Sequence, residues 1–77
     1  MSLTVRFFAS LRERLERDEV VLAPGDAATV GEAWACATGG EAMPANVLAA
    51  VNQDYAAPDQ PLKDGDEVAF FPPVTGG

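Results

Sequence analysis

The sequence predicts an α+β domain in which a short mixed sheet packs on one main helix. Three observations lead to this prediction. An alternating apolar segment opens the chain at Leu3–Phe7, a similar segment stands near its end at 66–71, and a capped amphipathic helix is expected between them from Thr29. Strands on both sides of one amphipathic helix are typical of this fold class.

The first part of the chain is predicted to form a strand, a short helix and a second strand. The opening segment alternates with period 2, so one set of side chains should point inward and Phe8 should point outward. The inward set is Leu3, Val5 and Phe7. A short helix with one apolar edge is expected over 10–17. Glu19–Leu22 should pair with the first strand and end at a turn over 23–26.

The main helix should begin after Thr29. Thr29 and Glu32 fit a capping box, in which the hydroxyl accepts from the N3 amide and the carboxylate accepts from the N-cap amide. One face of the helix is apolar and should be buried, and Gly39 and Gly40 should end the helix because glycine allows a left-handed backbone. The apolar face consists of Val30, Ala33, Trp34 and Ala37.

Two more strands are expected after the main helix. The segment 41–46 is ambiguous because Pro44 opposes a continuous helix. A third strand is predicted at 47–52, and a tight turn over 61–66 leads into the last strand. This order favours a β-grasp fold with a mixed sheet on one main helix, built from residues 1–73 and followed by a tail at 74–77.

The chain ends in Gly76-Gly77, on a segment that should extend away from the domain. Pro72 and Pro73 should stop the last strand, because proline lacks the N–H that a sheet ladder needs, and together they favour extended backbone. Glycine has no Cβ, so this tail can pass through a channel that other residues would block. We therefore predict a flexible tail whose terminal carboxylate is the reactive group.

Charge and residue usage exclude several function classes. The 77 residues carry a net charge of -7, which should repel nucleic acid and anionic membranes and suits a basic protein partner, although it would equally keep a small domain soluble. With one cysteine, Cys36, and no histidine, an intramolecular disulfide, the usual zinc sites and histidine-based catalysis are excluded. We expect no bound metal and a cytoplasmic location, which suits the unpaired thiol.

Two outward aromatic side chains are expected where the tail begins. If Val68 and Phe70 point inward, Phe71 points outward, and it lies beside Phe8 if the first and last strands are neighbours. Exposed apolar patches of this kind commonly mark partner surfaces. A bulge in the last strand would instead turn Phe71 away from this patch.

Three segments of the chain carry a family resemblance. They are Phe7-Phe8-Ala9 with Arg12-Glu13, then Ala49-Ala50-Val51-Asn52-Gln53, and finally Pro61-Leu62 with Asp64-Gly65-Asp66-Glu67-Val68-Ala69-Phe70-Phe71-Pro72-Pro73-Val74-Thr75-Gly76-Gly77. Together they resemble the small, sulfur-carrier subunits of molybdopterin synthases. The resemblance covers most of the chain and is most specific from Asp64 onward.

The resemblance implies a ubiquitin-like β-grasp fold and a carrier role for the tail. An adenylating enzyme related to ubiquitin activators would use ATP and Mg²⁺ to convert the terminal carboxylate of Gly77 to an acyl adenylate. Sulfur from a sulfurtransferase would then give a thiocarboxylate. Two sets of contacts with the large subunit are implied as well. They are an active-site channel holding Val74, Thr75 and Gly76, and a docking surface formed by Phe8, Tyr55 and Phe71.

In such a complex, sulfur would pass to a cyclic pyranopterin monophosphate and build the molybdopterin dithiolene of molybdenum cofactor biosynthesis. The large subunit would supply the catalytic side chains, so this chain would be a non-catalytic donor that binds no cofactor of its own. The implied assembly is a heterotetramer with two large subunits at its centre.

Other functions of the C-terminal tail remain open. A sulfur carrier of thiamine biosynthesis has the same fold and tail, and a ubiquitin-like protein modifier would form isopeptide bonds with lysines instead of receiving sulfur. A purely structural β-grasp domain would not depend on its tail at all.

Overall fold

The computed structural model describes residues 2–72 and contains five strands and two α-helices in one domain. The strands are β1 (Leu3–Phe7), β2 (Glu19–Leu22), β3 (Leu48–Val51), β4 (Asp54–Ala56) and β5 (Glu67–Phe71). The helices are α1 (Ala9–Leu15) and α2 (Val30–Thr38), with a 3₁₀ turn at Pro24–Asp26. The predicted tail at 74–77 lies outside the described residues.

The strands form one mixed sheet in the order β2-β1-β5-β3-β4. β1 and β5 are parallel and lie at the centre, whereas β2 is antiparallel to β1, and β3 is antiparallel to both β5 and β4. The first and last strands are therefore hydrogen-bonded neighbours, as the expected position of Phe71 beside Phe8 requires. This architecture confirms the predicted α+β class and β-grasp type.

The core lies between one face of the sheet and helix α2. Phe7 and Phe70 stack with ring centroids 5.8 Å apart, and the Trp34 indole meets both rings edge-on at 5.8 and 5.0 Å. The predicted inward residues of β1 and the predicted apolar face of α2 are all buried in this core. Their burial supplies most of the hydrophobic stabilisation of a domain this small.

Helix α1 and the N-terminal cap of α2 differ from the prediction. α1 begins at Ala9 instead of residue 10. α1 stops at Leu15 instead of residue 17, because Glu16 adopts a left-handed backbone with φ of 57° and closes the helix as its C-cap. At the start of α2 the Thr29 hydroxyl accepts from the Glu32 amide at 3.2 Å, as expected. The Glu32 carboxylate, however, accepts from the Ala28 amide at 3.0 Å instead of the Thr29 amide.

The sheet contains one strand more than the sequence predicts. β4 pairs with β3 through a two-residue turn, Asn52-Gln53, in which both residues have positive φ, at 50° and 75°. Turns of this kind match the twist of a β-hairpin but usually contain glycine at the second position. Without that glycine the hairpin has no sequence signal, and so Tyr55 is not assigned to any strand by pattern alone.

We expect Gln53→Gly to raise the free energy of unfolding by about 0.5 kcal/mol, because glycine avoids the Cβ clash of a left-handed backbone while costing some chain entropy. Thermal unfolding followed by circular dichroism should show a higher Tm. Gln60→Gly is the matched control, since Gln60 is not among the residues with positive φ and the same change there should lower Tm. A Gln53→Gly variant that melts at or below the wild-type Tm would contradict this expectation.

A hydrogen-bonded cluster ties the β3–β4 hairpin to the turn before β5. The Asp66 carboxylate accepts from the Lys63 amide at 2.8 Å and from the Asn52 side-chain amide at 2.9 Å, and the Asn52 side-chain oxygen accepts from the Glu67 amide at 3.0 Å. The Lys63 amide, and then the Asn52 side chain, hold the pKa of Asp66 below its ordinary value of 3.8.

The lowered pKa of Asp66 predicts that the stability of the domain depends on pH. Because the folded state favours the charged form of Asp66, its stabilising contribution is present above the ordinary pKa and is lost as pH falls through the folded pKa. Asp66→Asn should therefore lower stability in urea unfolding at neutral pH, and the difference from wild type should shrink below pH 3.8. Asp64→Asn removes the same charge two residues away and should show a smaller loss at neutral pH.

Candidate docking site on the open face of the sheet

The face of the sheet opposite the helices carries an aromatic pair at the end of β5. Phe7 and Phe70 are partners in the parallel β1–β5 register, so the next residues, Phe8 and Phe71, come side by side on the opposite face. Their rings stack with centroids 5.1 Å apart and planes 13° from parallel. Phe8 remains 40% exposed. Both side chains thus have the outward orientation predicted from the sequence.

Tyr55 lies on the same face, on the edge strand β4. It stands opposite Ala50 in the β3–β4 ladder and is 81% exposed. Tyr55, Phe8 and Phe71 line one depression of about 320 Å³, and we call these three residues the aromatic docking face. The three residues that the resemblance implied for partner contact therefore surround one concave surface.

Two further apolar residues on this face were missed by sequence reasoning. Leu48 stands opposite Phe71 in the β3–β5 ladder, and Val21 stands opposite Thr4 on the edge strand β2; they are 37% and 61% exposed. Leu48 lies in a continuous apolar run, which gives no alternation to show which side chains point outward. Among residues 2–72, every large apolar side chain that is strongly exposed is on this face, which is typical of a partner surface.

A charged group borders the aromatic docking face toward β2. Arg6 Nε lies 3.3 Å from a Glu19 carboxylate oxygen, and Arg6 Nη1 lies 3.7 Å from a Glu67 carboxylate oxygen. All three side chains are nearly half exposed, so these ion pairs contribute about 0–1 kcal/mol each to stability. Their effect on a partner that covers this face would be larger, because water would be removed from the charges.

The predicted tail residues Val74, Thr75, Gly76 and Gly77 are outside the described residues. The last strand, β5, ends at Phe71, so the described part of the chain ends beside the aromatic docking face. Cys36 is exposed on α2. Within residues 2–72, no group of three or more His, Cys, Asp or Glu side chains is arranged to hold a metal ion, and no helix is long and apolar enough to cross a membrane.

Comparisons with known proteins identify the family of this chain. The sequence profile of the ThiS family matches residues 5–77. The chain is 44% identical to the molybdopterin synthase sulfur carrier subunit of Escherichia coli over 85 aligned positions, which cover 97% of this chain and 99% of that protein. This similarity extends well beyond the segments that form the docking face.

Solved structures show the same fold. The chain superposes on small archaeal modifier protein 1 of H. volcanii with a TM-score of 0.78 and 28% identity, covering 95% of this chain and 98% of that one. It also superposes on a chain of the protein–protein complex of subunits 1 and 2 of molybdopterin-converting factor from Helicobacter pylori, with a TM-score of 0.65, 27% identity and 100% of both chains covered. The chain therefore belongs to the ThiS family, with the ubiquitin-like β-grasp fold and full-length similarity to molybdopterin synthase sulfur carrier subunits.

Proposed function

We propose that this chain is the sulfur carrier subunit of a molybdopterin synthase and donates sulfur from a C-terminal thiocarboxylate on Gly77. The observation that supports this most directly is the position of the aromatic docking face, which lies at the end of β5, the last strand before the C-terminal Gly-Gly in the sequence. A partner that covers this face can receive the tail in its active site. The similarity to sulfur carrier subunits over the full chain supports the choice of pathway.

The chemistry requires activation of the terminal carboxylate. A free carboxylate is a resonance-stabilised anion without a leaving group, so one oxygen would attack the α-phosphorus of ATP and release pyrophosphate, with Mg²⁺ bound to the phosphates. The persulfide sulfur of a sulfurtransferase would then attack the acyl carbon and displace AMP, which gives an acyl disulfide. A thiol would reduce the S–S bond of this acyl disulfide and release the thiocarboxylate at Gly77. The chain itself needs no catalytic side chain for any of these steps.

The acceptor and the assembly follow from the same proposal. The thiocarboxylate would enter the active site of the large subunit with Val74, Thr75 and Gly76 in its channel, and the sulfur would pass to a cyclic pyranopterin monophosphate. The solved complex of subunits 1 and 2 from Helicobacter pylori supports a large-subunit partner. We propose a heterotetramer in the cytoplasm, with catalytic side chains on the large subunit.

The intact mass of the protein tests this function. After incubation with its adenylating enzyme, ATP and a sulfur donor, the mass should rise by the difference between sulfur and oxygen, and fragmentation should place the change at Gly77. A terminus that stays unmodified, under conditions in which the E. coli carrier is activated, would contradict the proposal. The hypothesis of a purely structural β-grasp domain would then be favoured.

Protein modification is the second candidate, and the fold similarity to an archaeal modifier protein supports it. It predicts an isopeptide bond between Gly77 and a lysine of another protein instead of a sulfur exchange. The same mass experiment in the presence of cell extract separates the two reactions. A carrier of thiamine biosynthesis would gain sulfur but would not support molybdopterin formation with the large subunit.

Phe71→Arg tests the aromatic docking face. We expect it to weaken binding to the large subunit by at least about a hundredfold, because it removes a central aromatic contact and places a charge in an apolar interface. The half-buried ring stacks on Phe8 at the surface, so the domain should stay folded. Gln60→Arg adds the same charge in an exposed loop and should bind normally. Unchanged affinity of Phe71→Arg, measured by calorimetry, would contradict this role for the face.

A further inference from the structure

The depression beside the aromatic docking face has the shape of a socket for one side chain. Its floor is formed by Ala50 and Ala69, which stand opposite each other in the β3–β5 ladder. Because both residues are alanine, neither side chain extends far above the sheet, and the three rings of the aromatic docking face stand around them. The resulting volume of about 320 Å³ exceeds what one long side chain needs, so an inserted side chain and its hydrogen-bonded partners can fit.

The rim of the socket carries the Glu67 carboxylate, which has only a long ion-pair contact with Arg6. Glu67 and Arg6 both line the depression, but Arg6 Nε is closer to Glu19, at 3.3 Å, than Arg6 Nη1 is to Glu67, at 3.7 Å. Two carboxylates thus share one guanidinium, which leaves this group with one net negative charge. In the part of the chain that the structure describes, no other cation lies within salt-bridge distance of Glu67.

We propose that this socket receives an arginine side chain of the large subunit, so that its guanidinium pairs with Glu67 and contacts the aromatic rings. This inference rests on the proposed function, since it assumes that the large subunit covers the face. A planar guanidinium can bond a carboxylate in a bidentate manner and lie against aromatic rings at the same time. Arginine is also among the residues most often found at the energetic centre of interfaces.

Other occupants fit the chemistry less well. An apolar side chain would take water from the Glu67 carboxylate and leave it only the 3.7 Å contact with Arg6, which is costly for a buried charge. An acidic side chain would meet two carboxylates and one guanidinium in a protein of net charge -7. A basic side chain gains from both the local group and the overall charge.

Four variants test the proposal through calorimetric binding to the large subunit at several salt concentrations. Glu67→Gln should weaken binding about tenfold and reduce its salt dependence, because the charge-assisted pair is lost. Ala69→Leu should weaken binding to a similar extent by filling the socket. Arg6→Gln should strengthen binding about twofold, because a like charge near the guanidinium is removed. Glu13→Gln makes the same charge change as Glu67→Gln on α1 and should bind as wild type.

A double-mutant cycle identifies the partner residue. Each interface arginine of the large subunit is changed to glutamine and combined with Glu67→Gln, and one of them should lose most of its effect in that background. Additive effects for every arginine would overturn the proposal. Weaker binding of Ala69→Leu together with wild-type binding of Glu67→Gln would also overturn it, because this result indicates an apolar occupant. Weaker binding of Arg6→Gln would overturn it as well, because this result indicates a carboxylate of the partner.

The outcome for the wild-type chain separates this inference from the proposed function. A wild-type chain that neither gains sulfur nor binds the large subunit would contradict both. A wild-type chain that gains sulfur and binds, while Glu67→Gln and Glu13→Gln behave alike, would contradict only the arginine socket. Thermal unfolding of each variant accompanies these measurements, so that a loss of binding is compared among folded proteins.

Discussion

Deletion of Gly77 is expected to abolish sulfur acceptance and sulfur transfer while the domain stays folded. The shortened chain still ends in a carboxylate, but this carboxylate lies about 3.5 Å short of its former reach, which is too far for productive geometry in a partner active site. The described core is formed by residues between Leu3 and Phe70, and the deletion leaves all of them in place. Mass spectrometry should detect no thiocarboxylate, and Tm should match that of wild type.

Cys36→Ser is the control for this deletion. Cys36 is the only thiol of the chain and is exposed, so it is the one other place where sulfur could be carried. The variant should gain sulfur as wild type does, because the proposed carrier atom is at the terminus. If instead the Gly77 deletion keeps the added sulfur and Cys36→Ser loses it, the sulfur is bound as a persulfide and the thiocarboxylate proposal is wrong.

Trp34→Ala is expected to unfold the domain or bring it close to unfolding. Trp34 is fully buried and touches both Phe7 and Phe70 edge-on, so the alanine variant loses these contacts and leaves a large cavity. Such changes cost about 3–5 kcal/mol, and a domain of this size has a total stability of about 4–12 kcal/mol. Urea unfolding followed by circular dichroism should show the loss directly.

Trp34→Phe separates the packing of this side chain from its polar group. Among the described residues, no acceptor lies within hydrogen-bond distance of Trp34 Nε1, although this atom is buried. Phenylalanine keeps an aromatic ring against Phe7 and Phe70 and removes the costly N–H, so the loss should be only about 1–2 kcal/mol. Equal losses for Trp34→Phe and Trp34→Ala would show that the indole shape, and not its aromatic contacts, determines stability.

Periodicity predicted the parts of the fold in which one face is buried and the other exposed. β1 shows this most clearly, since Leu3, Val5 and Phe7 are buried and Phe8 is outward. The same alternation in β5 turns Phe71 outward, and Phe71 lies beside Phe8 because β1 and β5 are neighbours. For these residues the hydrophobic pattern alone determines which side faces the core.

Periodicity could not predict β4 or the complete docking face. A strand of three residues, Asp54–Ala56, is too short to show alternation, and its turn contains Gln53 where glycine would have signalled a hairpin. Leu48 lies in an apolar run without alternation, because Ala50, which faces the same side of the sheet, is apolar and buried like Ala49 on the core side. The socket likewise depends on two alanines in adjacent strands, a pairing that exists only in the folded sheet.

The central position of β5 has a consequence for how the protein is made. Synthesis runs from the N-terminus, so β5, the strand between β1 and β3, is the last to be produced. Until β5 is present, the β1–β2 pair and the β3–β4 pair each have an unpaired strand edge where β5 will bind. Folding must therefore wait for long-range pairing between the first and last strands, which is intrinsically slow. A chain interrupted before Glu67 cannot close the sheet or assemble the stacked pair of Phe8 and Phe71. A partner that binds this face, as proposed for the large subunit, would consequently bind complete chains and reject incomplete ones before the tail is engaged.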